Sequence, residues 1–435
     1  MDAPSPGPDP VHRMLAFIDA APSPFHACAE AAARLEGAGF TALRETDAWP
    51  TEPGSRYVRR GGSLVAWSTA AHHRPTSGFR IIGAHTDSPN LRVKPQPDAG
   101  HLGYLQLGME VYGGALLNSW LDRDLGLSGR VVIGSAHGPD ERLLLVQEPL
   151  LRVPQLAIHL DRDISTKGLL LNAQQHLSPI WGLGSPLPGG FAGFIAERLD
   201  VSPDAIAGWD LMAHDLTPSV LAGADQELVS APRLDNLCSS WAGLEALVCA
   251  ARSGAELAQI PVLVLFDHEE IGSTSERGAD SSLLPALTER IVIGLGGGRE
   301  DVLRALSASI CCSADNAHAT HPNYADRHEP GHLIELNKGP VLKVNSNVRY
   351  ATDAISAASF VAACDQAAVP FQRYAHRSDL PCGSTIGPIT ASRLGIPTFD
   401  VGVPQLAMHS SRELCGADDP AHYRAAMAAF LAPEG

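Results

Sequence analysis

The stretch IPVLVLFDHEEIGS, residues 260–273, decides the fold prediction for this chain. Its first seven residues are apolar and rich in β-branched side chains, which is typical of a buried strand. The run then ends directly in Asp267, His268, Glu269 and Glu270. Charged residues that follow a strand usually just face solvent. The pattern therefore indicates a site only if other strand ends repeat it.

Other apolar runs of the chain also end in polar side chains. They are FRIIGAHTDSP (79–89), ALSASICCSAD (305–315) and IPTFDVGVPQLAMH (396–409), and a further acid precedes a predicted helix in SAPRLDNL. The candidate residues at these positions are His85, Asp87, Asp235, Glu269, Glu270, Asp315 and His409. Because the carboxyl ends of strands in open α/β sheets converge on one crevice, we expect these side chains to meet in a single site.

The alternation of strands and helices after Leu237 predicts an α/β fold with a mostly parallel sheet. Between about Leu91 and Val229 the chain instead shows short strand-like runs separated by glycine-rich or acidic turns, which predicts a β-rich insert. We therefore predict a discontinuous domain of residues 1–93 and 230–435, interrupted by a β-rich domain of residues 94–229. Two domains also suit 435 residues, because single cores stop growing at about 250 to 300.

Composition excludes several classes of partner. A formal charge of −16 repels phosphate backbones and anionic bilayers, so we expect neither nucleic acid nor membrane partners. The eight cysteines are scattered without a C-x-x-C pair, which favours reduced thiols over a disulfide framework or a thiolate metal site. No apolar run approaches the roughly 18 residues of a spanning helix, and MDAPSPGPDP lacks the pattern of a signal peptide. We expect a cytoplasmic protein.

Two histidines and several carboxylates, without thiolates, are the ligands of hydrolytic zinc and similar divalent ions. Two ions about 3.5 to 4 Å apart need a shared ligand, for which Asp235, alone on its loop, is the candidate. Adjacent residues after a strand point in different directions, so Glu270 can bind metal while Glu269 acts as general base toward water. Asp87, two residues after His85, can orient the histidine ring.

The segments GAHTDSP, SAPRLDNL, DHEEIGS, SADNAHATHPNY, CGSTIGP and QLAMHSSRE, in this order, resemble the aspartyl aminopeptidase family of dinuclear zinc exopeptidases. The resemblance covers nearly the whole chain. It implies a catalytic domain of the dizinc exopeptidase type, with the β-rich insert as a dimerisation domain. It also implies peptide substrates, a homo-oligomer of twelve subunits built from dimers, and two divalent ions per subunit. Zn²⁺ is the expected ion, with Mn²⁺ and Co²⁺ as alternatives.

Carried over residue by residue, the resemblance implies two sets of ligands and the same base. One ion would bind His85, Asp235 and Asp315. The other would bind Asp235, Glu270 and His409, with Glu269 as the base. The stretch VPQLAIHLDRD is similar to a family segment whose histidine reaches the active site of the neighbouring subunit, and that histidine is His159 here. Two alternatives for His159 are an ordinary surface histidine and a direct metal ligand.

One position departs from the family pattern. In KVNSNVRYATD, some relatives that prefer acidic N-terminal residues carry a lysine where Asn347 stands. The cation expected to pair with an acidic substrate side chain is therefore missing at that position. Lys343 and Arg349 are nearby cations that could replace it, and each could equally form a structural ion pair.

Two alternative functions share parts of this pattern. A dizinc carboxypeptidase or deacylase would use the same metal ligands but recognise a substrate carboxylate. An inactive relative could serve as an assembly or cargo-binding shell, although such a shell has no need to keep Glu269 and Asp87 beside the ligands.

Overall fold

The structure is a computed structural model that describes residues 9–71, 73–135, 138–254 and 256–434. The chain divides into two compact units. The first unit contains the chain up to Asp87, Ser219–Met408 and the chain from Glu413, and the second contains Ser88–Pro218 and His409–Arg412. Among the described residues, no helix combines the length and the apolar character needed to cross a bilayer.

The regular elements are numbered in chain order. The α-helices are α1 (Pro10–Ala20), α2 (Pro24–Gly37), α3 (Ile164–Lys167), α4 (Ala173–His176), α5 (Gly190–Leu199), α6 (Leu234–Arg252), α7 (Leu283–Gly294), α8 (Arg299–Ser307), α9 (Ala354–Ala367), α10 (Ile386–Leu394) and α11 (Asp419–Leu431). The short 3₁₀ helices are Leu117–Trp120, Pro203–Ala205, Glu269–Ile271 and Ala325–Arg327.

The β-strands are β1 (Thr41–Ala42), β2 (Ser55–Arg60), β3 (Ser63–Ser68), β4 (Phe79–His85), β5 (Asn90–His101), β6 (Tyr104–Tyr112), β7 (Leu125–Ile133), β8 (Asp140–Leu151), β9 (Ile180–Leu183), β10 (Ile206–Asp215), β11 (Val220–Ala222), β12 (Leu228–Ala231), β13 (Ile260–Phe266), β14 (Ile310–Ala314), β15 (Ala317–His318), β16 (Val341–Val344), β17 (Gln372–Ala375), β18 (Thr398–Gly402), β19 (Pro404–Leu406) and β20 (Glu413–Gly416).

The first unit is built on a nine-stranded sheet in the order β1-β2-β3-β13-β4-β14-β18-β16-β17. Its four central strands, β13, β4, β14 and β18, are parallel. Antiparallel pairs flank them, β3 with β13 and β2 on one side and β16 with β18 on the other. The α/β class agrees with the sequence prediction, and five of the eight strand pairs in this sheet are parallel, but three are antiparallel. One reason is the tight hairpin between β2 and β3, which turns at Gly61 and Gly62.

The central strand β13 is apolar throughout because helices cover both faces of this sheet. Every residue of β13 is buried. Alternate side chains point to opposite faces, so Leu263 and Leu265 pack in a cluster with Trp241 of α6, and Val262 and Val264 join a second cluster with α7, α8 and α10. This arrangement explains why the sequence of β13 shows a continuous apolar run rather than an alternating one.

The second unit contains a six-stranded antiparallel sheet in the order β8-β7-β10-β5-β6-β9, with α5 packed in its core. The predicted insert, 94–229, overlaps this unit but differs at its ends. β11 and β12 pair instead in a five-stranded sheet of the first unit, because β12 runs antiparallel to β20. The sequence did not show this pairing, since the two strands are remote along the chain.

The register of the central strands determines which side chains can meet. His85 at the end of β4 is opposite Phe266, the last residue of β13, and Gly83 of β4 is opposite Ser313 of β14. All three strands are parallel, so their carboxyl ends lie at one edge of the sheet. The residues that follow, among them Glu269 and Asp315, therefore emerge close together.

Candidate metal centre

His85 is fixed in one tautomer by the residue two positions later. Its ring is buried, and Nδ1 lies 2.9 Å from the main-chain oxygen of Asp87 and 3.4 Å from Asp87 Oδ1. Both partners are acceptors, so Nδ1 carries a proton, and Nε2 is the ring atom that faces the other carboxylates. The main-chain carbonyl is the nearer of the two, a contact that the sequence argument from the Asp87 carboxylate did not include. Nε2 is thereby prepared to bind a cation.

The two adjacent glutamates are held by the same aspartate. The 3₁₀ helix Glu269–Ile271 begins after His268, whose φ is 66°. The main-chain N–H of Glu269 donates to Asp87 Oδ1, and that of Glu270 donates to Asp87 Oδ2, both at 3.1 Å. The carboxylate of Asp87 therefore accepts from the amino end of this turn and fixes the starting point of both glutamate side chains.

A buried ion pair anchors the chain just before this turn. The main-chain N–H of Asp267 donates to Ser63 Oγ at 2.8 Å, and Arg277 Nε lies 2.9 Å from Asp267 Oδ2. Breaking a buried pair is costly, because it leaves a charge without compensation. The bond to Ser63 ties the turn to β3, the pair ties it to Arg277, and together they keep Glu269 and Glu270 at the sheet edge.

Asp235 lies in the irregular first turn of α6. It has non-helical backbone angles, and its peptide bond to Asn236 is cis. Its main-chain N–H donates to Glu413 Oε2 at 2.9 Å. Asn236 Nδ2 donates to the main-chain oxygen of Ala314, and Asn316 Nδ2 donates to that of Leu234. These bonds join the start of α6 to the end of β14 and direct Asp235 toward the site.

Asp235, Glu269 and Asp315 all face Nε2 of His85. Nε2 lies 3.3 Å from Asp235 Oδ1 and 3.6 Å from Asp315 Oδ1. Glu269 Oε2 lies 4.0 Å away. Donor atoms of His85, Asp235 and Asp315 all lie within 4.8 Å of one another, and those of His85, Glu269 and Glu270 meet the same limit. Such a group of oxygens around one ring nitrogen fits a divalent ion that prefers N and O ligands, such as zinc.

Burial and mutual repulsion change the acidity of these groups. Burial raises the pKa of Glu269 to about 8, with repulsion from Asp315, Asp87 and Asp235 adding to it and attraction to His85 opposing it. Burial also raises the pKa of Glu270 well above its usual range. A bound cation acts in the opposite direction, since positive charge favours the ionised carboxylates.

The pKa of His85 follows from the same surroundings. Burial lowers this pKa, but hydrogen bonds with the carboxylates of Asp235, Asp315 and Asp87 raise it by more, so the pKa lies well above the usual range. Protons on His85 and the glutamates, or cations between them, are the two ways to balance the charge of this cluster.

The two remaining predicted site residues lie in the second unit. His409 has a φ of 67°, and its Nδ1 donates to the main-chain oxygen of Gly114 at 3.1 Å, which puts the ring lone pair on Nε2. His159 lies in an exposed turn after β8. The roles of both histidines stay predictions.

The cations near Asn347 have other partners. Lys343 is buried, and its Nζ donates to the main-chain oxygens of Asp315 and Asn316 at 2.7 and 3.1 Å. Arg349 Nε donates to the main-chain oxygens of Cys382 and Gly383. Asn347 itself is exposed. Lys343 therefore belongs to the support of the cluster, which the sequence argument missed because nothing along the chain links it to Asp315.

Comparisons with known proteins were made on sequence and on fold. Residues 17–431 match the model of a family described as aminopeptidase I zinc metalloprotease (M18). A relative from Mycobacterium tuberculosis, described as probable M18 family aminopeptidase 2, is 55% identical over 427 residues, which cover 97% of this chain and 98% of the relative.

Two solved structures are similar over 97% of this chain. A chain in the cryo-EM structure of the Ape4 and Nbr1 complex has a TM-score of 0.93 and 36% identity, with 85% of that chain covered. The structure of the S. cerevisiae mApe1 dodecamer has a TM-score of 0.84 and 26% identity, with 96% of that chain covered.

The acidity of the cluster predicts how the metal-free protein responds to pH. Glu269 binds more protons when folded than when unfolded between its ordinary pKa of 4.5 and its folded pKa of about 8. Raising the pH through that window therefore destabilises the fold, and His85, whose folded pKa is also raised, acts in the same direction. We expect the melting temperature of chelator-treated protein to fall between about pH 5 and about pH 8.

Two controls make this measurement specific. Glu269→Gln, which cannot ionise, should flatten the dependence. Saturating Zn²⁺ should flatten it too, because a cation lowers the pKa of the carboxyls. A melting temperature of the metal-free protein that rises across the same window would contradict the predicted acidity.

Proposed function

This chain belongs to the M18 family of zinc metalloproteases and is a metalloaminopeptidase, and from that premise we propose which of its residues carry out the hydrolysis. The resemblance to the aspartyl aminopeptidase family is confirmed. An enzyme of this class removes the N-terminal residue from a peptide. The observation that carries the proposal is the buried contact of His85 with Asp235 and Asp315, beside Glu269 and Glu270.

We propose that the cluster holds two divalent ions, with Zn²⁺ as the expected metal. His85, Asp235 and Asp315 would hold one ion. Asp235, Glu270 and His409 would hold the other, which makes Asp235 the shared ligand. When bound, the ions polarise the scissile carbonyl and make water more acidic. The support for this assignment is the donor set, which contains only nitrogen and oxygen.

Glu269 is the proposed general base. Its side chain is 15% exposed, and its carboxylate is the most distant of the three that approach His85 Nε2. It can therefore reach a water molecule without replacing a ligand. Cations in the cluster keep it ionised near neutral pH, so it can take a proton from water and then donate that proton to the leaving amine. Asp87 acts on Glu269 and His85 by position, through the bonds described above.

The assembly into larger particles is also a proposal. The second unit carries exposed apolar side chains on both sides of His159, with Leu156, Ile158 and Leu160 exposed by 58%, 54% and 75%. Apolar surface of this kind is expected at protein interfaces. Together with the dodecamer reported for mApe1, it supports a homo-oligomer, assembled from dimers through this unit, in which His159 acts at the site of a neighbouring subunit.

The surroundings of Asn347 bear on substrate preference, and composition bears on cellular location. Acidic specificity is not part of the proposal, because Asn347 is uncharged and both Lys343 and Arg349 donate to main-chain carbonyls. A cytoplasmic location is proposed from composition, and the eight cysteines are free thiols. Family membership favours the aminopeptidase over the carboxypeptidase or deacylase and over an inactive shell.

Exchanging each glutamate for glutamine separates the two proposed roles. We expect Glu269→Gln to keep both metals while kcat/KM falls at least about 100-fold, the scale for losing a general base. Glu270→Gln should lose metal, since it removes a ligand. The readouts are metal content per subunit and hydrolysis of amino-acid anilides. Glu276→Gln, an exposed acid of the same loop, is the matched control and should keep both properties. Loss of metal in Glu269→Gln with retention in Glu270→Gln would reverse the assignment.

A subunit-mixing experiment tests whether His159 acts on a neighbour. We expect His159→Phe to be nearly inactive although fully metallated, because an imidazole that donates to the oxyanion typically contributes about 2.7 to 4 kcal/mol. When His159→Phe subunits are mixed with Glu269→Gln subunits and reassembled, activity should return. In a mixed pair, the site on the His159→Phe chain keeps its own Glu269 and receives the intact His159 of the partner subunit. The recovered activity should not exceed half of wild type.

The mixture needs two checks. His101→Phe, an exposed histidine of the same unit, should stay active by itself. Mass measurement must show that mixed oligomers formed. If verified mixed oligomers are as inactive as the separate variants, His159 acts within its own subunit or has no role in the reaction.

A further inference from the structure

We propose that Lys343 is a positioning residue that turns the carboxylate of Asp315, so that one oxygen is offered to the metal and the other is held away. The inference rests on the proposed function, because it assumes that Asp315 is a metal ligand. It gives Lys343, considered from the sequence only as a possible substrate-pairing cation or a structural ion pair, a defined role beside a ligand.

Lys343 lies near the end of β16 and is 2% exposed. Its ammonium donates to two main-chain oxygens, those of Asp315 at 2.7 Å and Asn316 at 3.1 Å. It also lies 3.7 Å from Asp315 Oδ2 and 5.1 Å from the centroid of the Tyr350 ring. These contacts hold the positive charge at a fixed point behind Asp315.

The two oxygens of Asp315 face different partners. Oδ1 lies 3.6 Å from Nε2 of His85, on the side of the cluster, whereas Oδ2 lies 3.7 Å from the ammonium of Lys343. Attraction between opposite charges at this distance is strong away from bulk water. The ammonium therefore sets the rotation of the carboxylate. Asp315 is presented as a ligand through one oxygen, which leaves room around the metal for water and substrate.

Another carboxylate also faces Lys343. Asp400 is the register partner of Lys343 on β18 and is buried. Its oxygens already accept from Thr385 Oγ1 at 2.5 Å and from the main-chain N–H of Ala351 at 2.6 Å. Asp400 is thus fixed by these donors, while the short contacts of the ammonium itself go to Asp315 and Asn316.

The charge of the cluster provides a second reason for an ammonium at this position. The carboxylates of the site are those of Asp87, Asp235, Glu269, Glu270 and Asp315. Two divalent ions would leave one negative charge in this set when His85 is neutral. Lys343, which Asp400 also faces, places positive charge beside this set, and a buried charge with an opposite charge nearby costs far less than one without.

The experiment replaces the ammonium and reads the metal directly. Lys343→Met keeps an unbranched apolar side chain without the ammonium, and Lys343→Arg keeps the charge. Lys338→Met removes an exposed lysine of the preceding loop and is the matched control. Each protein is loaded with Co²⁺, whose visible absorption reports coordination geometry. Metal content, kcat, KM and melting temperature are measured on the same samples.

In Lys343→Met we expect Asp315 to bind through both oxygens. The Co²⁺ absorption should lose intensity with metal content unchanged, and kcat should fall about 10- to 100-fold, the usual effect of losing a group that supports a ligand. KM should change little. Lys343→Arg should keep the absorption close to that of wild type, and Lys338→Met should match wild type throughout.

The outcomes separate this inference from the proposed function. A wild-type protein that binds no Co²⁺ would overturn the proposed function itself. If wild type binds metal and is active, a Lys343→Met protein with wild-type absorption or wild-type kcat overturns only the role of Lys343. If Lys343→Met does not fold, a folded Lys343→Arg protein that loses the Co²⁺ absorption overturns the role of Lys343. Failure of both variants to fold assigns Lys343 to the fold and overturns it as well.

Discussion

The bonds from the carboxylate of Asp87 to the main-chain N–H groups of Glu269 and Glu270 are the interaction on which the site depends. They join the end of β4 to the turn that follows β13. The same residue fixes His85 through its main-chain oxygen. One aspartate thus sets the tautomer of the histidine and the starting point of both glutamates. The proposed ligand of one ion, the proposed ligand of the other ion and the proposed general base therefore all depend on Asp87.

The electrostatics of the cluster explain why these residues can lie so close together. Carboxylates buried beside one another repel, which raises the pKa of Glu269 and Glu270. Divalent ions bound there would remove that repulsion, and Lys343 supplies a fixed positive charge at Asp315. The same negative charge that makes the metal-free cluster unfavourable would therefore favour metal binding. On the proposed assignment, stability and activity of the protein depend on one set of groups.

The residues at the carboxyl edge of the central strands could be predicted from the sequence better than the strands that flank them. Apolar runs that end in polar residues identified His85, Glu269 and Asp315, because strand length and strand end are local properties. The flanking antiparallel strands and the pairing of β12 with β20 are not local, and the sequence contained no signal for them. From the sequence, Lys343 could be either a substrate-pairing cation or a member of a structural ion pair, with no partner named. Its burial against Asp315 depends on the packing of β16 beside β18, which a single sequence does not show.

The central claim is that Asp235 lies between two metal ions in this cluster. Crystals of the zinc-loaded protein, measured at and below the zinc absorption edge, test it most directly, because anomalous scattering locates zinc independently of any assumed ligand. The account predicts two anomalous peaks per subunit, about 3.5 to 4 Å apart, with one oxygen of the Asp235 carboxylate bound to each. A single peak, or two peaks that Asp235 does not bridge, would contradict it.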